Sequence, residues 1–112
     1  MLLRDDLTKD QVWLSLGAVV DSEPLKAKEA KAILRTCLGP EGTVFFTPHA
    51  KKELENDDMT EMDVLNVLRG GVVSYDGYQR HSHRYRVNTN RFCAVVAFDT
   101  MTHTVVVTAW RN

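Results

Sequence analysis

Apolar residues recur along this chain at two different spacings, and the change from one to the other falls at Gly70-Gly71. Before that pair they follow helical three- and four-residue intervals; after it they alternate with polar residues or form short blocks. Leu25, Ala30, Ile33, Leu34, Cys37 and Leu38 predict a helix from Ser22 to about Leu38, stopped by Gly39-Pro40. Ser22 is its expected N-cap, with Glu23 in the first turn and Pro24 where a missing N–H costs nothing. The Glu41-Gly42 turn leads to a short extended piece, Thr43 to Phe46. Thr47 then caps and Pro48 opens a second helix that ends near Asn56, placing His49 in its first turn. Thr60, with Asp63 three residues on, forms a capping-box pattern. Met62, Val64, Leu65 and Leu68 give that third helix its inner stripe up to Arg69-Gly70-Gly71. Residues 1–21 fit neither period cleanly, and a short helix near Lys9 to Leu16 is the expectation there.

Everything after Gly71 reads as strand. Val72 to Tyr75 turns at Asp76-Gly77, His83 to Asn88 turns around Thr89-Asn90, and Phe92 to Phe98 is apolar enough for burial on both faces. Asp99 to Thr102 connects to a last strand, His103 to Trp110. Simple alternation there puts Thr104, Val106, Thr108 and Trp110 on one face, opposite Val105, Val107 and Ala109. Helices first and a meander second predict an α+β fold, with N-terminal helices packed on one face of a C-terminal antiparallel four-stranded sheet. The 112 residues fit one domain, without repeat or linker.

Charge changes the picture more than composition does. Residues 1–68 hold 8 Lys and Arg against 13 Asp and Glu, a balance of −5; residues 69–112 hold 6 Arg and only Asp76 and Asp99, a balance of +4. The basic part contains no lysine. Arginine presents a planar fork that matches phosphate in two-point contact and stacks on bases, so this half points to phosphate, RNA or an acidic partner. The acidic half disfavours tight nonspecific duplex binding. Cys37 and Cys93 sit in apolar runs without ligand spacing and read as buried thiols. No apolar run reaches about 18 residues, and Met1-Leu2-Leu3 meets charged residues too soon for a signal peptide, so a cytoplasmic location is expected.

The cations and imidazoles concentrate in Gln79-Arg80-His81-Ser82-His83-Arg84-Tyr85-Arg86, followed by Asn88, Asn90 and Arg91. In an extended strand Arg84, Arg86 and Asn88 share one face while His83, Tyr85 and Val87 share the other. One face can then grip an anion while the other is anchored. A solvated hairpin that resists edge pairing is the plainer alternative.

From Phe46 to Trp110 the chain resembles a small bacterial family of unknown function placed in the barnase, EndoU, colicin and RelE-like ribonuclease superfamily, akin to toxins of the motility quorum-sensing regulator type. The matching pieces are Phe46-Thr47-Pro48-His49-Ala50, Met59-Thr60-Glu61-Met62-Asp63-Val64, Leu68-Arg69-Gly70-Gly71, Tyr85-Arg86-Val87 and Val105-Val106-Val107-Thr108-Ala109-Trp110. The resemblance implies a RelE/barnase-like core over residues 43–112 behind a helical extension at 1–40. It also implies a sheet face that cradles RNA, metal-free attack of the ribose 2'-hydroxyl on phosphate, and an antitoxin or immunity partner. Glu53 stands where the family commonly has an arginine.

Such cleavage needs a base, an acid and cations for the charge that builds on phosphorus. His49 is the candidate acid or base, because imidazole titrates near neutrality. Arg84 and Arg86 are the candidates for charge stabilisation. Thr108 either bonds phosphate or fills a β-branched slot. Arg80, Arg91 and Lys52 extend the cationic rim. His83, Tyr85 and Trp110 are candidate substrate contacts, each with packing as its alternative. His81, His83 and His103 lack a nearby carboxylate or cysteine in sequence, so no metal or other cofactor is expected.

Overall fold

A computed structural model describes residues 24–112. The elements in chain order are α1 (Ala27–Leu38), β1 (Thr43–Phe46), α2 (Pro48–Asn56), α3 (Glu61–Gly70), β2 (Val72–Gln79), β3 (Ser82–Asn88), β4 (Phe92–Phe98) and β5 (His103–Arg111). The chain is a mixed α+β fold with helices first and sheet strands after. The expected helix at Lys9 to Leu16 and the Ser22 cap lie outside the described residues.

The start of α1 is later than the Ser22-Pro24 signal suggests. Two hydrogen bonds, one to the sheet and one within the first turn, explain the delay: Leu25 N–H donates to the Tyr85 hydroxyl (2.8 Å), and Lys26 N–H donates to Glu29 Oε1 (2.9 Å). Residues 24–26 are thereby tied to the sheet and to the first turn rather than coiled. The other two starts follow their signals. Thr47 Oγ1 accepts from Ala50 N–H (3.0 Å), while Thr60 and Asp63 exchange reciprocal bonds of 2.9 and 3.0 Å.

The sheet has five strands, not four, in the order β1-β5-β4-β3-β2. The extra one is β1, parallel to β5 with Thr43 beside His103 and Phe46 beside Val106, on an otherwise antiparallel meander. Its partner lies 60 residues away, so no local pattern could reveal the pairing. The predicted Asp76-Gly77 turn is also corrected. β2 runs on to Gln79, with a register shift between Tyr75 and Gly77 and Gly77 at φ +117. This is a bulge rather than a turn. The chain reverses instead at Arg80 and His81, both at positive φ (49 and 67), as a two-residue primed turn requires.

A second bulge redraws the faces of β5. Val95 pairs with Thr108 while Val96 pairs with Val106, which leaves Val107 as the extra residue. Thr47 Oγ1 donates to the Val107 carbonyl (3.2 Å), fastening the start of α2 to that bulge. Thr104, Val106 and Ala109 consequently face the core, fully buried, while Val105, Thr108 and Trp110 share the opposite face.

The core lies between the helices and one side of the sheet. Ala30, Ile33, Leu34 and Cys37 of α1, together with Val64, Val67 and Leu68 of α3, meet Tyr85, Val87, Ala94, Val96, Phe98 and Val106. Lys31 ties α1 to the end of α3: its ammonium donates to the carbonyls of Leu68, Arg69 and Gly71 at 3.3, 2.9 and 2.9 Å. Burial, and then the charge of Arg35, lower the Lys31 pKa. Among the described residues no helix is long and apolar enough to cross a membrane. The other sheet side carries Arg84, Arg86 and Asn88, and it positions the candidate site.

Candidate functional site

A groove of about 630 Å³ opens on the sheet side away from α1 and α3. Its walls come from three places that the fold brings together: the start of α2 with Thr47 and His49, the adjoining strand faces, and the β2–β3 turn. Ala97, Val105 and Val107 make an apolar lining. Arg80, Arg84 and His49 supply imidazole and guanidinium groups, and Asp99 supplies a carboxylate.

His49 is exposed and held at the helix start by the Thr47 cap, which the Val107 bulge fixes in turn. Backbone N–H groups at such a position favour negative charge nearby. Arg84 reaches the groove from the middle of β3, with its Nε–H donating to Ser82 Oγ at 3.1 Å. Among the described residues no carboxylate forms an ion pair with Arg84. An anion in the groove would therefore meet a guanidinium still able to use its outer N–H groups.

Arg86 lies on the same face one pair further along but does not line the groove. Its Nε and Nη2 approach Asp76 Oδ1 at 3.1 and 3.0 Å, and its guanidinium sits 5.3 Å from the centroid of the Trp110 ring. Thr108 follows in the row Arg86, Val95, Thr108. The β5 bulge thus puts Thr108 beside Arg86 and away from Val106, contrary to simple alternation. Trp110 is occupied by the Arg86 stack.

The remaining candidates fall elsewhere. Tyr85 is 1% exposed and spends its hydroxyl on Leu25; burial is the main cause of its raised pKa. His83 is 8% exposed on the core side, and its Nδ1 shares a 2.8 Å hydrogen bond with the Tyr75 hydroxyl. Both are anchors and neither is part of the groove. Lys52 is exposed on α2 away from the lining. Arg91 stands at the β3–β4 turn, 5.4 Å from the Phe92 ring centroid, beside a separate hollow. Glu53 does not line the groove either.

Sequence reading missed Asp76 and Asp99. Asp76 was hidden because Asp-Gly is the strongest short hairpin signal, yet here it marks a bulge. Asp99 was assigned to a connection, although it lines the groove with His103 Nε2 4.0 Å from its Oδ2. His103 Nδ1 also hydrogen-bonds Thr43 Oγ1. Among the described residues no group of three or more His, Cys, Asp or Glu side chains is placed to hold a metal ion.

Fold and site together define a small α+β domain whose helices cover one sheet face and whose other face carries an arginine row beside a His-bearing groove. Residues 46–111 match the profile of Domain of unknown function (DUF4258), and the chain belongs to that family. The match spans β1's last residue through β5, which includes every side chain named in the groove. No curated protein and no solved structure matches the chain.

Proposed function

We propose that this domain is a small metal-independent ribonuclease of toxin type, built on the barnase, EndoU, colicin and RelE-like plan. The observation that supports it best is the shared groove: His49 and Arg84, far apart in sequence, line the same hollow. In the proposed reaction a base takes the proton from a ribose 2'-hydroxyl, and the oxygen attacks the adjacent phosphorus. The bond to the 5'-oxygen breaks, that oxygen receives a proton, and a 2',3'-cyclic phosphate remains. His49 serves as acid or base, while Arg84 steadies the charge on the phosphate oxygens. Arg86 and Thr108 hold the chain beside the scissile position. An antitoxin or immunity partner and a cytoplasmic site of action belong to the same proposal.

A second reading is a non-catalytic RNA- or protein-binding module. Asp76 on Arg86 favours it, because a carboxylate already occupies that guanidinium. Labelled RNA incubated with the purified protein in EDTA separates the two. Cyclic-phosphate ends that vanish in His49→Ala and Arg84→Ala support the ribonuclease; binding without cutting supports the module and ends the nuclease reading.

A further inference from the structure

The anion face is not uniform. Arg84 and Arg86 point the same way from β3, about 6.8 Å apart by strand rise, yet one guanidinium has no acidic partner among the described residues and the other is held by Asp76. The origin of the difference is the β2 bulge. Tyr75 pairs with Tyr85 and Gly77 pairs with Arg84, so Asp76 is left out of the ladder, and Gly77 at φ +117 gives the backbone conformation this requires. Bulges re-aim side chains. This one delivers a carboxylate across the edge onto a guanidinium of the neighbouring strand. Cys93 feels both groups: burial raises its thiol pKa, Arg86 pulls it down and Asp76 pushes it up.

We infer that Asp76 is a displaceable stand-in for a phosphate, and that Arg86 over Trp110 is a second anion seat, filled when a single-stranded RNA extends past the groove. This rests on the proposed function only for the identity of the chain that crosses the groove. The exchange has a physical basis. The Arg86–Asp76 pair is partly solvent-exposed, so its net strength is modest. An RNA phosphodiester matches the carboxylate in charge and offers two non-bridging oxygens to the guanidinium fork, where Asp76 engages it through Oδ1 alone. A phosphate tethered to a nucleotide already in the groove arrives at high effective concentration, whereas a free mononucleotide does not. Asp76 therefore makes the face select polynucleotides over mononucleotides.

Asp76→Asn tests this, with Asp76→Ser as a second variant and thermal midpoints to verify folding. Two probes are titrated: a 2'-O-methyl RNA octamer, which cannot be cut, and inorganic phosphate followed through the Arg86 Nε–H resonance. Asp76→Asn is expected to tighten octamer binding by about threefold and to steepen the log–log salt dependence by about one. In an Arg86→Gln background it should do neither. Phosphate should shift the Arg86 resonance at lower concentration in Asp76→Asn than in the parent. Equal phosphate responses in parent and variant would overturn the inference, as would weaker octamer binding by a folded variant. Absence of octamer binding in every protein, with the phosphate difference intact, would instead remove the RNA reading and leave the seat standing.

Discussion

Among the described residues, His49 owes its position to two contacts of Thr47 rather than to a charged partner. Thr47 caps the helix through Ala50 and holds the β5 bulge through Val107, so the imidazole is placed by backbone geometry. Replacing His49 by Ala is expected to cut RNA cleavage by about a hundredfold or more while the thermal midpoint stays close to that of the parent, because the side chain is exposed. Cys37 works through burial instead. Its thiol is pushed up from 9.0 to about 11, chiefly by desolvation. Since the unfolded thiol ionises first, the unfolded state binds fewer protons across that interval and stability falls as pH rises from about 9 towards 11. Denaturant midpoints measured over that range should fall, and Cys37→Ala should flatten part of the decline. At this scale the sequence was legible where a side chain's direction follows from local alternation, as for Arg84 against Tyr85. It was not legible for Thr108, whose face depends on a bulge held by a threonine 61 positions earlier.

The β2–β3 hairpin shows how an element can be anticipated and still be misplaced. Apolar alternation around Tyr85 and Val87 announced the pair of strands, but Asp76-Gly77 drew the turn four residues too early. Arg80 and His81 occupy the actual reversal in left-handed conformations that neither side chain favours. Strain of that kind often accompanies function, and Arg80 does line the groove. His81→Gly should relieve about 1 kcal/mol of it, seen as a higher unfolding midpoint, without loss of Arg80. The α1–α3 junction is the opposite case. Lys31 satisfies three carbonyls at a helix end, a role that helical periodicity cannot announce. Lys31→Met removes those bonds and should cost about 2 kcal/mol by chemical denaturation.

Over the whole molecule, the division between an acidic first part and an arginine-only second part proved informative. The arginine row and the groove wall both come from the later part, while His49 reaches them from the earlier one because β1 crosses to pair with β5. If the open face grips phosphates, RNA affinity should fall steeply with salt, and Arg84→Gln should reduce the log–log slope by about one; an unchanged slope would count against that contact. A resemblance to a family of unknown function over the later part of the chain, and the helix-then-sheet order, were visible in the residues. The five-strand order was not, since a four-residue strand has little pattern of its own. That order also bears on when the hollow comes into being. β5, last of the strands to be synthesised, is wedged between β1 and β4 and contributes Val105 and Val107 to the lining. A growing polypeptide halted before His103 thus has no groove, with β1 lacking its partner and His49 its support. The hollow is therefore assembled only once the final strand has left the exit tunnel, whatever the earlier elements have already packed.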